Sequence, residues 1–177
     1  PAPVEMTRAD MDRVRDAFVS AVRRSARIGF DGIELHAAHG YLMHQFLSPL
    51  SNHRTDAYGG SLENRMRYPL EVFDAMRAAL APHMTLGVRI SAIDWVEGGQ
   101  TIEDSIAFTL ALKARGCDFI HVSSGGVSPL QQIAAGPGYQ VHLAQQIKEA
   151  TGVPTIAVGM ITEPRQAEEI ITSGKAD

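Results

Sequence analysis

His36 and His39 stand three residues apart, and Tyr41 follows two further on. Two imidazoles at that spacing can hydrogen-bond a single carbonyl or phenolate oxygen, and a tyrosine beside them offers a phenolic proton donor. The same residues also suit a plainer role, as capping or core histidines at the head of a loop. A metal site is a third option because His44 and His53 lie close by, but no carboxylate or cysteine completes a zinc-type spacing. Arg89 falls within the strand-like run Leu86–Ser91, where a guanidinium is costly to bury without an anion. Strand parity puts Glu34 and His36 on one face, and Gly87, Arg89 and Ser91 on one face. Arg89 is therefore expected either to pair with Glu34 or to face an electron-rich ligand ring. Ser123-Ser-Gly-Gly126 is a small-residue loop whose amides could cradle a phosphate, although serine and glycine are ordinary loop residues.

These residues need a scaffold, and the chain alternates helical and strand patterns around them. Thr7 and Asp10 have the spacing of a capping box, and Met11, Val14, Phe18 and Val22 continue a helix that Gly29 stops. Ile33–His36 alternates as a short strand. A second helix starts near Ser61, and Pro69 is expected to kink or divide it. Leu86–Ser91 is the next strand, Thr101 caps a third helix, and Phe119–Ser123 is the strand after it. A fourth helix spans about Tyr139 to Ala150, Thr155–Gly159 is a strand, and Pro164 opens a last helix. Alternation of this kind implies a parallel sheet with helices packed outside it. No G-x-G-x-x-G follows any strand, which disfavours an open dinucleotide-binding sheet. Part of a (β/α)8 barrel fits better, and a complete one needs about 250 residues.

Composition sets the outer limits. The chain has 177 residues, 45% of them hydrophobic and 20% charged, enough to build one core. A formal net charge of -4 gives no electrostatic reason to bind nucleic acid or an anionic membrane. The single Cys117 excludes an internal disulfide and points to a reducing, cytoplasmic setting. The start, Pro1–Thr7, has no signal-peptide pattern and no initiator Met, and Lys175-Ala-Asp177 stops where another strand is due, so the chain is expected to be a piece of a longer protein.

The run His36-Ala-Ala-His-Gly-Tyr-Leu42, with Gln45–Asn52, Arg54-Thr-Asp56, Tyr58-Gly-Gly-Ser61 and Glu63-Asn-Arg65, strongly resembles the old yellow enzyme family of flavin-dependent ene-reductases. Arg89–Glu97, the Ser-Ser-Gly-Gly loop, Pro137–Val141 and Ala157–Ile161 are similar to its bacterial xenobiotic reductase A-like branch. The resemblance runs the length of the chain and covers the central part of that family's barrel. It implies a TIM (β/α)8 barrel of which residues 1–177 supply about four βα units, strands 4 to 7, as a partial FMN-binding domain.

The resemblance also implies a chemistry. FMN and NADPH or NADH would be the cofactors, and an activated alkene such as an enone the small-molecule substrate. His36 and His39 match the pair that binds the substrate's oxygen, and Tyr41 matches the donor that protonates its α-carbon. Arg89 matches the arginine at the flavin pyrimidine edge, and Ser124, Gly125 and Gly159 lie where the family approaches the ribityl chain or phosphate. A homo-oligomer is expected for the full-length enzyme. Two alternatives stand beside this reading: a dienoyl-CoA reductase-type relative with an iron–sulfur cluster, and a non-catalytic truncated barrel without a complete flavin site.

Overall fold

The computed structural model describes residues 4–177. Its order is α1 (Arg8–Arg27), β1 (Gly32–Ala37), α2 (Leu42–Leu47), α3 (Leu62–Ala79), β2 (Thr85–Ser91), α4 (Ile102–Lys113), β3 (Phe119–Ser123), α5 (Val141–Thr151), β4 (Thr155–Ala157) and α6 (Pro164–Thr172). The four strands are all parallel and lie in the order β1-β2-β3-β4, with two helices between β1 and β2 and one between each later pair.

Local chemistry sets the boundaries. Thr7 and Thr101 each close a capping box, with Asp10 and Asp104 at the third helical position, and the Ser61 hydroxyl accepts the Asn64 amide to start α3. α3 continues through Pro69 from Leu62 to Ala79 and is not divided there. A mid-helix proline costs about 3 kcal/mol, and the burial of Tyr68, Leu70, Val72, Phe73 and Met76 around it outweighs that. α5 begins at Val141, two residues later than the periodicity suggested, because the Tyr139 and Val141 amides first close turns onto Gly136 and Gly138. α2 has no counterpart in the sequence reading: six residues are too short for a 3.6-residue period to show.

The sheet has two unlike faces. Leu35, Ala37, Val88, Ile90, Ile120 and Val122 are fully buried and share one core with Phe73, Met76, Phe108, Leu112 and Ile147 from the helices. The opposite face alternates with them and is polar. The register aligns His36 with Arg89, then His121, then Ile156; it also aligns Glu34 with Gly87 and Phe119. Gly87 is required because the Phe119 ring fills the space a Cβ would take. Ile156 remains 43% exposed on this face.

Candidate functional site

In parallel α/β sheets ligands sit at the C-terminal ends of the strands, and there the chain departs most from ordinary backbone geometry. Three non-glycine residues among those described have left-handed φ: His39 (57°) after β1, Trp95 (57°) after β2 and Met160 (52°) after β4. Each costs of order 1–3 kcal/mol, so their gathering at one edge marks it as a site.

His39 is held by two contacts from other strands. Its amide donates to Ser91 Oγ at 3.0 Å, and its Nε2 lies 2.7 Å from Ser123 Oγ. The His36 ring sits between its neighbours, with ring centroids 5.3 Å from both His39 and Tyr41. Burial, followed by the Arg89 charge, lowers the pKa of both imidazoles, that of His39 to about 4. At neutral pH each ring is therefore uncharged and carries one N–H. Tyr41 is 64% exposed at the head of α2. One polar cluster thus contains all three residues.

Arg89 lies beside His36 in the register, and its buried Nε has no hydrogen-bond partner. The expected Glu34–Arg89 pair does not form. Glu34 faces Gly87 instead and reaches diagonally to His121, with Oε1 to Nδ1 at 2.9 Å. His121 Nε2 is likewise buried without a partner. Two orphaned nitrogens on the polar face are costly unless a ligand covers them, and the Arg89 Nε–H in particular calls for an acceptor atom.

The β3 loop is bound mainly to its neighbours. Ser91 donates to the Gly125 carbonyl at 2.7 Å, the Gly125 amide donates to the Ile93 carbonyl at 2.8 Å, and the Gly126 amide to Gln131 Oε1 at 2.7 Å. Those two amides are already engaged. Trp95 Nε1 donates to Ser124 Oγ at 2.8 Å, and the Ser124 hydroxyl donates to Gln140. Gly159 follows β4 with φ 115°, and a Cβ there would lie 3.0 Å from Gln140 Nε2. The β1 and β3 loops touch backbone to backbone: a Cβ on Gly126 would lie 2.5 Å from His39 Cα, and one on Gly40 would strike the Gly126 carbonyl.

The sequence reading passed over a buried group beneath this edge. His44, Ser48 and Asp94 are all fully buried, with His44 Nε2 2.9 Å from Asp94 Oδ1 and Ser48 Oγ 2.6 Å from Asp94 Oδ2. The available signal was the i, i+4 spacing of His44 and Ser48 next to the Tyr41 motif. A cleft of about 280 Å³ lined by Met6, Phe46, Asn52 and Arg54 holds none of the cluster residues. The left-handed backbone and the unpaired nitrogens lie instead at the strand ends and on the polar face. Among the described residues no three His, Cys, Asp or Glu side chains are grouped to hold a metal, and no helix is long and apolar enough to cross a membrane.

A sheet of successive parallel strands with helices on one face and a polar cluster at the strand ends is the arrangement of an α/β barrel, of which four strands are present. The chain belongs to the NADH:flavin oxidoreductase / NADH oxidase family, whose sequence profile matches residues 2–177. It is 49% identical over 177 residues to an NADPH dehydrogenase of Geobacillus thermodenitrificans, covering 100% of this chain and 51% of that protein. The Bacillus subtilis NADPH dehydrogenase is 47% identical over 175 residues, covering 99% and 51%. Among solved structures, a 2-naphthoyl-CoA reductase complex superposes with TM-score 0.89 at 31% identity, over 98% of this chain and 27% of that one. The old yellow enzyme homologue from Zymomonas mobilis gives 0.78 at 26% identity, over 99% and 50%. The chain spans about half the length of the curated relatives it matches.

Proposed function

We propose that the full-length protein carrying this chain is an FMN-dependent NAD(P)H oxidoreductase that reduces the C=C bond of activated alkenes. The observation that carries the reading is the His36–His39–Tyr41 cluster beside an Arg89 whose buried Nε has no protein partner. A flavin fits this donor set, because its pyrimidine edge is rich in acceptors and a guanidinium there favours negative charge on the ring. When bound, FMN supplies a hydride to the alkene's β-carbon after taking one from the nicotinamide.

The chain's own side chains do the rest. His36 and His39, uncharged at neutral pH, donate N–H groups to the substrate's carbonyl oxygen and stabilise the enolate charge that develops there, each contributing roughly 2.7–4 kcal/mol. A ligand oxygen competes with Ser123 Oγ for the His39 Nε2 proton, so Ser123 keeps that ring near its working position beforehand. Tyr41 Oη gives its proton to the α-carbon, completing addition across the double bond. Arg89 would hold the flavin through its unpartnered Nε–H, and Ser124, Gly125 and Gly159 would line the wall beside its ribityl chain and phosphate. The engaged Gly125 amide makes that residue a spacer rather than a donor.

The test is a visible absorption scan of the chain, and of the full-length protein, after FMN is added and the excess removed, followed by NADPH and then an enone. A retained flavin band that bleaches with nicotinamide and returns with the enone is expected. A full-length protein without flavin affinity would refute the proposal.

A further inference from the structure

We propose that His44 and Asp94 are positioning residues, which hold the His39–Gly40–Tyr41 turn in its working geometry through one hydrogen bond from the Gly40 amide to His44 Nδ1. This rests on the roles given above to His39 and Tyr41. The Gly40 amide lies 2.9 Å from His44 Nδ1. A nitrogen that accepts a hydrogen bond carries no proton, so the ring proton is on Nε2, which donates to Asp94 Oδ1. Asp94 Oδ2 accepts the Ser48 hydroxyl and, at 2.7 Å, the Gln100 amide. Burial alone would raise the Asp94 carboxyl; its hydrogen bonds from His44, Ser48 and Gln100 hold it below the ordinary value.

Burying an imidazole and a carboxylate completely is expensive, and an apolar pair would fill the same space at less cost. What the polar pair adds is direction. Only a bare Nδ1 can accept the Gly40 amide, and only an acceptor at Asp94 keeps Nδ1 bare. Tyr41 has no capping hydrogen bond of its own and is largely exposed, so its ring position follows from the backbone of the turn. Gly40 is further confined by its φ of 74° and by the Gly126 carbonyl against it. The lock beneath and the loop above leave the turn one conformation.

Asp94→Asn tests this with almost no change of shape. The amide oxygen is best placed at the Oδ2 position, where two donors meet, and its NH₂ then faces His44 Nε2. The ring must move its proton to Nδ1, which sets donor against donor at Gly40. In the FMN-loaded full-length protein, ¹⁵N spectra of the His44 ring should show the exchanged tautomer, and Gly40 amide exchange should accelerate about tenfold or more. Reoxidation of the reduced protein by an enone should slow about 100-fold, the effect of roughly 1 Å of misplacement, with FMN affinity within about twofold. An unchanged tautomer and Gly40 exchange would overturn the proposal, as would a loosened turn with reoxidation within about twofold.

Should Asp94→Asn fail to fold, His44→Asn keeps an acceptor near Nδ1 while His44→Gln keeps only a donor near Nε2. The asparagine variant should then reoxidise several-fold faster than the glutamine variant, and equal rates would count against the lock. A wild-type holoprotein that no activated alkene reoxidises would instead remove the underlying function and the catalytic half of this proposal, while the spectra would still decide whether the lock exists.

Discussion

His39 Nε2 lies 2.7 Å from Ser123 Oγ, so a side chain in the loop after β1 is fastened to the end of β3, two strands away. The burial this entails lowers the His39 pKa from its ordinary 6.5 to about 4. Between those values the unfolded chain binds a proton that the folded one refuses, so stability is lost as pH falls from about 6.5 to about 4. His39→Gln should flatten this dependence. Denaturation midpoints at pH 7 and pH 5 check it; an unaltered difference between them would show that the ring is not the source.

Tyr41→Phe should slow enone-driven reoxidation by about 100-fold or more, the usual range for a lost general acid, while reduction by the nicotinamide stays nearly intact. Stopped-flow measurement of the two half-reactions separates them. Equal losses in both would refute the proton-donor role.

Gly126→Ala and Gly60→Ala share a positive φ and differ in what surrounds them. At Gly60 nothing lies within 4 Å of the added methyl, so only the backbone term of about 1–2 kcal/mol applies. At Gly126 the methyl meets His39 Cα, which adds about 1–3 kcal/mol and pushes His39 aside. Gly126→Ala should therefore lose more stability and also weaken the binding of a phenolic ligand. A phenol affinity equal to wild type would contradict the loop contact.

Arg65 is buried and joins three elements: Nε donates to the Leu47 carbonyl at 2.7 Å, Nη1 to the Gly60 carbonyl at 2.7 Å, and Nη2 meets Asp104 at 3.3 Å. Arg65→Met should lower stability by about 3–5 kcal/mol, the usual cost of removing one partner of a buried, hydrogen-bonded ion pair. Both half-reactions of the folded protein should keep their rates. A selective kinetic defect would mean that Arg65 acts on the site as well.

Much of this arrangement was legible in the sequence because it is written in local chemistry. The capping boxes at Thr7 and Thr101, Ser61 as a cap and Pro164 in the first turn of α6 each announce an element within a few residues. His36, His39 and Tyr41 fall within six positions of one another, so their clustering was visible too. What escaped depends on strand register. Parity gave Glu34 and Arg89 the same face, but only the pairing of Glu34 with Gly87 reveals that His121 is its partner. The His44–Asp94 pair spans 50 residues and carries no periodic signal. Pro69 misled because the sequence displays its missing N–H but not the packing that compensates for it.

The contact between Gly40 and Gly126 also constrains how this scaffold can be recombined with its relatives. Neither position tolerates a side chain, because each sits against the other loop's backbone. A chimera with a crossover between Tyr41 and Ser123 would pair one parent's first loop with the other's second, and any mismatch between the two would fall on His39. Loops 38–41 and 123–127 are therefore one unit of inheritance, and shuffled libraries should exchange them together.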